Sequence, residues 1–380
     1  MTVLHGDEPA ALAAAAQRLA DGGLVAFATE TVYGLGARAD DEAAVAGIFA
    51  AKGRPADHPL IVHVVDLAQA AHFSAALPDS ARRLATAFWP GPVTVIVPRA
   101  PGIGAAAAGG QASIGLRCPS HPVAQALLRE AARRGVAGVA APSANRFGRV
   151  SPTSAAHVAQ EFGDALWVLD GGDCPLGIES TIVDCSRGRP VLLRPGVLTR
   201  AQLEAALGEP LWAADDQAPR ASGTLASHYA PQARVRLWPA AALAQALAAA
   251  ASAAAQINAG PPQVDLLPLG GADAAPRRPW GPTQINAGPP QVDLLPLGGA
   301  DAAPQQTGKG LAVYSRRAGV GQPGVLWRCQ PADPAAVAHE LFAVLRDFDQ
   351  AGVAEIWVER PPDGPAWEGV LDRLKRAAAP

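Results

Sequence analysis

Five segments in the first half of the chain gather the side chains that could do chemistry. TETVYGLG (29–36) follows a short apolar run and sets the hydroxyls of Thr29, Thr31 and Tyr33 beside Glu30 and two glycines. Glycines admit a ligand close to the backbone; the plainer reading is a strand-to-helix turn. AKGRPADHPLIVH (51–63) puts Lys52 and Arg54 at the end of a helical pattern, with Pro55 and Pro59 stiffening the stretch after it. Two cations there can simply cap a helix dipole. Yet of 31 lysines and arginines only Lys52, Lys309 and Lys375 are lysine. A retained lysine suits a place where a compact ammonium serves better than a guanidinium fork, as at a phosphate.

SIGLRCP (113–119) ends an apolar strand pattern on Arg117, where a cation needs an anionic partner. That partner is a ligand or a structural carboxylate. In APSANRFGRVSPT (141–153), Ser143, Asn145, Ser151 and Thr153 crowd a loop ahead of a helix. Hydroxyls and backbone amides so placed bind anions, and Ser151 or Thr153 can equally cap the helix. GIESTIVD (177–184) and LLRPG (192–196) add Ser180, Thr181 and Arg194 at strand ends, where open α/β sheets place ligands.

The elements that must position these residues alternate between strand and helix patterns. An alanine-rich helix over 9–21 closes at Gly22-Gly23, and a second, capped by Asp40 or Asp41, runs to Lys52 and closes at Gly53. Strands are expected at 24–28, 60–65, 94–97, 113–117, 136–141, 166–170, 181–184 and 191–194, with helices at 122–135 and 154–162. This is an α/β layer architecture with one twisted sheet over 1–208. A polar linker, 209–232, ends in SHYAP. Residues 233–380 repeat the alternation, with strands at 234–238, 311–315, 324–328 and 355–359 and helices at 240–254, 334–350 and 365–377. They read as a small parallel-sheet domain without a glycine-rich phosphate fingerprint. Within it, QINAGPPQVDLLPLGGADAAP (256–276) recurs unchanged at 284–304, duplicating a 28-residue unit (256–283 and 284–311). Repeat architectures drift in sequence and need three units to stack. The second copy therefore reads as a recent duplication: one copy fills a strand position and the other loops out.

Composition narrows the class. Apolar residues make 49% and the net charge is −3, too apolar and too nearly neutral for a disordered chain. No breaker-free apolar run is long enough to span a membrane, and the start lacks a signal-peptide pattern. Four cysteines form no CxxC pair, which points to reduced thiols and a cytoplasmic protein. A pI near 6.2 argues against a broad basic surface and stable nucleic-acid binding.

Taken in order, TETVYGLGA, KGRP…HPLIVH, GLRCP, PSAN…SPT, ESTIVD, LLRPG and HYAP make this chain resemble the L-threonylcarbamoyladenylate synthases, strongly over 8–232. The trailing part fits the long, two-domain branch of that family. The resemblance implies a YrdC-like twisted open sheet with a large concave cavity, plus a smaller Rossmann-like parallel α/β C-terminal domain. It implies a nucleotidyltransferase that makes threonylcarbamoyl-AMP and pyrophosphate from L-threonine, bicarbonate or CO2 and ATP, with Mg²⁺. A downstream tRNA threonylcarbamoyl-transferase complex then modifies an adenosine next to the anticodon. No protein nucleophile is required.

Position by position, the resemblance implies that Thr31, His63, Arg117 and Ser180, with the backbone of Ala141, bind threonine, Arg117 pairing with its carboxylate. Arg54, His58, Ser113, Ser143, Ser151, Arg194 and His228 are implied for ATP. Lys52 and Asn145 are implied for the phosphates and the Mg²⁺ environment, with Lys52 and Arg54 as the catalytic pair; the metal ligands stay open. His58 stands where many relatives have asparagine, Ala28 where proline is common, and the linker opens ASGT instead of with the usual SPG. Three other readings are an RNA-binding module of the same fold, which the acidic balance and sparse aromatics disfavour; a hydrogenase-maturation carbamoyl transferase, which would carry CxxC pairs; and a purely regulatory or scaffolding role for 233–380, where no catalytic motif is found.

Overall fold

The computed structural model describes residues 2–258, 310–317 and 324–379. Residues 1–244 and 308–380 form one compact unit, which carries two sheets. The duplicated segment, and with it the expectation that one copy loops out, lies outside the described residues apart from 256–258, 310 and 311.

The first sheet holds β1 (Thr2–His5), β2 (Val25–Phe27), β3 (Gly34–Arg38), β4 (Ile61–His63), β5 (Val93–Pro98), β6 (Ser113–Arg117), β7 (Val139–Ala140), β8 (Trp167–Asp170), β9 (Thr181–Asp184), β10 (Val191–Arg194) and β11 (Trp212–Ala213). Their order is β1-β8-β2-β3-β7-β4-β6-β5-β9-β10-β11, with parallel and antiparallel neighbours mixed. The strands rich in β-branched residues lie where both faces are covered: β4 and β9 are buried throughout, and β5 is buried up to its last residue. Helices Pro9–Ala20 and Pro122–Ala132 pack together on one face around Leu19, Leu127 and Leu128. The helix Glu42–Lys52 starts on Asp41, whose carboxylate accepts from the amides of Ala43 and Ala44, and ends at Gly53 with φ 63°.

The second sheet is fully parallel: β12 (Arg234–Trp238), β13 (Leu311–Ser315), β14 (Val325–Cys329) and β15 (Glu355–Glu359), in the order β12-β15-β13-β14. Helix Pro334–Gln350 buries Val337, Leu341, Phe342 and Leu345, and this core runs on into Val32, Val150 and Ile178 of the first half. The two sheets therefore share an apolar boundary.

Several expected elements are displaced. TETVYGLG does not lead from a strand into a helix. It is the loop joining antiparallel β2 and β3, and its glycines open β3. Gly36 serves packing: a β-carbon there would lie 2.8 Å from both Phe27 and Val139 side-chain atoms. The expected strands at 60–65 and 136–141 shrink to Ile61–His63 and Val139–Ala140, and Ala141, just past β7, lines a cleft. Strand β1 and the helices Leu67–Phe73, Asp79–Phe88 and Arg200–Leu207 escape the sequence pattern, since alanine- and proline-rich flanks blur the periodicity.

Candidate active site

The loops after β2 and β7, the segments leading into β4 and β9, β4 itself, the ends of β6 and β10, and the linker converge on a cleft of about 500 Å³. Its walls include Thr31, His63, Arg117, Ala141 and Ser180, all five positions expected for threonine, together with Arg54, Ser143, Arg194 and His228 from the ATP set. Two smaller lobes share residues with it. One of about 280 Å³ contains Ser113, beside Thr94 and Ser222; the other, of about 360 Å³, contains His58, beside Phe147 and His228.

On one side, Arg117 is buried and its Nη2 lies 2.6 Å from Glu30 Oε1, so the sharp cation at the end of β6 has a carboxylate partner within the protein. Glu30 comes from the β2–β3 loop, held by the Thr29 hydroxyl, which donates to the Val32 carbonyl at 2.6 Å and lies 2.9 Å from Thr31 Oγ1. His63, edge-on to the Phe27 ring, has no hydrogen-bond partner on Nδ1. Burial, and then Arg117, push its pKa down to about 3, so the ring is neutral.

Across the cleft, Arg194 donates from Nε to the Ser180 carbonyl at 3.0 Å, from Nη2 to Ser180 Oγ at 3.2 Å, and from Nη1 to the Ser222 carbonyl at 2.8 Å. Arg54 donates to the Pro59 carbonyl at 2.9 Å and to Ser222 Oγ at 3.3 Å, leaving Nε without a partner. Burial pushes Arg54 down to about 10, still cationic at neutral pH. Among the described residues neither arginine forms an ion pair. Two buried guanidinium groups, neither in an ion pair, facing one space make an anion site.

The linker closes this side. Ser222, Gly223, His228 and Tyr229 all line the cleft. Gly223, at φ 72°, passes so close that a β-carbon there would lie 2.2 Å from the Tyr229 hydroxyl. In the outer lobe, Phe147 meets His58 edge-on at 5.3 Å and His228 at 6.4 Å, with the Arg54 guanidinium 5.9 Å above its ring.

Three expected residues stand behind the wall and do not line the cleft. Lys52 is buried; its ammonium donates to the Ser143 carbonyl at 2.6 Å and to that of Asn145. These contacts differ from the phosphate contact expected of it: they staple the 143–149 loop. Burial, and then Arg54, hold its pKa well below the usual lysine range. Asn145 donates to the carbonyls of Arg146 and Arg149, ordering the same loop. The Ser151 hydroxyl is turned to Glu179. The N-cap of the next helix is Ser154, in place of Ser151 or Thr153.

The sequence motifs assign no role to Glu30, Glu179, Phe147, Ser222 or Tyr229. Glu30 and Glu179 lie inside those motifs, where a carboxylate among hydroxyls could have flagged them; Phe147 and Tyr229 also lie inside quoted motifs, 141–153 and HYAP, but as aromatics carry no such signal, and Ser222 lies in none. Among the described residues no group of three His, Cys, Asp or Glu side chains could hold a metal. Both carboxylates near the cleft are already paired with arginine, Glu30 with Arg117 and Glu179 with Arg373.

Comparison with known proteins gives a consistent picture. A family model named Sua5_yciO_yrdC, described as telomere recombination, matches residues 17–196, and the threonylcarbamoyl-AMP synthase C-terminal domain matches 198–379. Threonylcarbamoyl-AMP synthase of Bacillus subtilis is 34% identical over 376 residues, covering 97% of this chain and 92% of that protein. Its Pyrococcus abyssi counterpart is 43% identical over 227 residues, and the chain spans 66% of that protein. The crystal structure of P. abyssi Sua5 complexed with L-threonine matches with a TM-score of 0.77 at 30% identity, covering 99% of this chain and 97% of that one. A variant of the same protein in which a consecutive histidine and tyrosine are both alanine matches at 0.78, covering 100% and 96%. In this chain the His-Tyr dipeptide occurs once, as His228-Tyr229.

Proposed function

The chain belongs to the threonylcarbamoyl-AMP synthase family, and on that premise we propose that its cleft joins L-threonine, bicarbonate or CO2 and ATP into threonylcarbamoyl-AMP, releasing pyrophosphate. The observation that carries the reading is the pairing of Arg54 and Arg194, two buried cations that form no ion pair among the described residues, in one cleft with a hydroxyl-lined recess ending at Arg117 and His63.

Threonine takes the recess. Its carboxylate meets Arg117, whose charge Glu30 orients and partly offsets, and its polar groups meet Thr31, Ser180 and the Ala141 backbone. The amine must be neutral to add to CO2, and the N–H proton it sheds as the carbamate forms passes to solvent. His63, held neutral, accepts a hydrogen bond from it at Nδ1; a ring this acidic orients the amine and does not store its proton. The carbamate oxygen then attacks the α-phosphorus of ATP, the bond to the bridging oxygen breaks, and pyrophosphate leaves. Arg54, Arg194 and Ser143 face the phosphates and offset the charge that builds on them. Adenine stacks in the lobe of His58, Phe147 and His228, and Ser113 borders the neighbouring lobe. Alignment of the two substrates can supply about 7–11 kcal/mol of the barrier.

Mg²⁺ bound with ATP would offset charge on the phosphates; of the carboxylates beside the cleft, Glu30 and Glu179 are paired with Arg117 and Arg373. Lys52, Asn145 and Ser151 act by shaping the loop that presents Ser143. The product passes to a tRNA threonylcarbamoyl-transferase complex in the cytoplasm, a setting that suits four free cysteines. No helix among the described residues is long and apolar enough to cross a membrane.

The test is a mixture of protein, ATP, threonine, bicarbonate and Mg²⁺ without tRNA. Threonine-dependent pyrophosphate release and an adenylate of the right mass are expected; ATP turnover indifferent to threonine would refute the reading.

A further inference from the structure

Arg373 lies on the last helix, Glu368–Ala377, which packs against the second sheet, yet its side chain is fully buried among residues of the first half. Its Nε donates to Glu179 Oε2 at 2.7 Å, its Nη2 to the Glu179 carbonyl at 3.2 Å, and its Nη1 to the Pro195 carbonyl at 3.0 Å. The neighbouring Asp372 pairs with Nη1 at 2.7 Å, and the guanidinium lies 5.4 Å from the centre of the Tyr229 ring. Every one of these first-half partners touches the cleft or adjoins a residue that does: Glu179 and Tyr229 line it, and Pro195 follows Arg194.

Glu179 is the difficulty in that wall. It is a buried carboxylate on a surface that has to accept the triphosphate of ATP, directly before Ser180 and close to Arg194. Left unpaired it would repel the phosphates and pull Arg194 toward itself. Arg373 removes both problems by taking one carboxylate oxygen, while the other accepts from Ser151. Burial opposes ionisation of Glu179, but Arg373 and Arg194 outweigh it and hold the carboxyl below its usual range.

We propose that Arg373 is a positioning residue for the ATP site: by neutralising and fixing Glu179 it keeps Arg194 and Ser180 facing the phosphates, so the C-terminal half completes a site built on the first. The inference rests on the reading of the cleft as an ATP site. It gives the trailing domain a task that does not require a catalytic motif of its own.

The test compares full-length R373A, R373K, E179Q and the double variant R373A/E179Q, with pyrophosphate release and ATP binding by titration as readouts. R373A is expected to raise KM and Kd for ATP about tenfold, with a smaller change in KM for threonine. Adding E179Q removes the stranded carboxylate and should return ATP affinity to within about threefold of wild type. A folded R373A with wild-type ATP affinity, or a double variant no better than R373A, overturns the proposal. If R373A fails to fold, R373K decides: lysine keeps the charge but cannot span both Glu179 atoms, so a wild-type ATP affinity there also overturns it. Loss of threonine-dependent turnover in the wild type would instead refute the function, and the titration would still report on Arg373.

Discussion

Arg117 and Glu30 form a buried ion pair, 2.6 Å apart, with neither side chain more than 6% exposed. The arginine is shared between this carboxylate and the cleft. Removing one member of such a pair strands the other, and costs more than removing both. R117A should therefore raise KM for threonine by about 30-fold or more, with a much smaller effect on KM for ATP, and should lower the urea midpoint. R117A/E30Q should recover part of that midpoint without recovering threonine affinity. A double variant no more stable than R117A would mean the pair does not carry the charge balance of this wall.

Lys52 separates two explanations of the same lost activity. Its ammonium reaches the carbonyls of Ser143 and Asn145, so K52M should leave one part-buried and one buried acceptor without a donor. Each such orphan costs about 1–3 kcal/mol. K52M is expected to lose turnover and stability together, read by pyrophosphate release and urea unfolding. Lost turnover with unchanged stability would return the ammonium to the phosphates.

The histidines of the cleft give a pH signature. Burial holds His63 and His228 to pKa values of about 3, against 6.5 for a free histidine. Between those values the unfolded chain binds protons that the folded chain does not, so stability must fall as pH drops below 6.5. The urea midpoint should decline from pH 7 to pH 5, above the range where carboxylates titrate. H63Q/H228Q should flatten that slope, and an equal slope in the variant would show that other groups produce it.

Much of this was legible in the chain because punctuation and β-branched runs are local signals. Asp41 and Gly53 bound a helix where expected, and Ser113–Arg117, Thr181–Asp184 and Val191–Arg194 are strands to the residue. What was not legible is non-local. Nothing in the sequence near Lys52 says that two carbonyls 91 and 93 positions away will meet it. Nothing near Glu179 announces Arg373, 194 positions on. The motifs named the walls of the cleft; which side chains face in and which brace from behind is decided by packing between segments that are adjacent only after folding.

Phe147 offers a test of the outer lobe that leaves the threonine recess alone. Its ring meets His58, His228 and Arg54 at once, at 5.3, 6.4 and 5.9 Å. Stacking of a base on an aromatic ring is worth about 1–3 kcal/mol. F147A should raise KM for ATP by about 5- to 100-fold and leave KM for threonine near wild type. Parallel changes in both would move adenine out of this lobe.

Gly223 tests whether the linker's course over the cleft matters for turnover. At φ 72° the position strains any residue with a β-carbon, and that carbon would stand 2.2 Å from the Tyr229 hydroxyl and 2.8 Å from Arg194 Nη1. Neither neighbour has room to retreat: Tyr229 is stacked on Phe342 at 5.3 Å and Arg194 is tied to Ser180. The linker is the part that yields, taking with it the Ser222 contacts to Arg54 and Arg194. The sheets beneath stay intact, so G223A should lose only about 1 kcal/mol or slightly more of stability. Its turnover should drop severalfold and its KM for ATP should rise. Thermal unfolding together with pyrophosphate release separates these. A variant with wild-type kinetics would show that the linker covers the cleft without contributing to it.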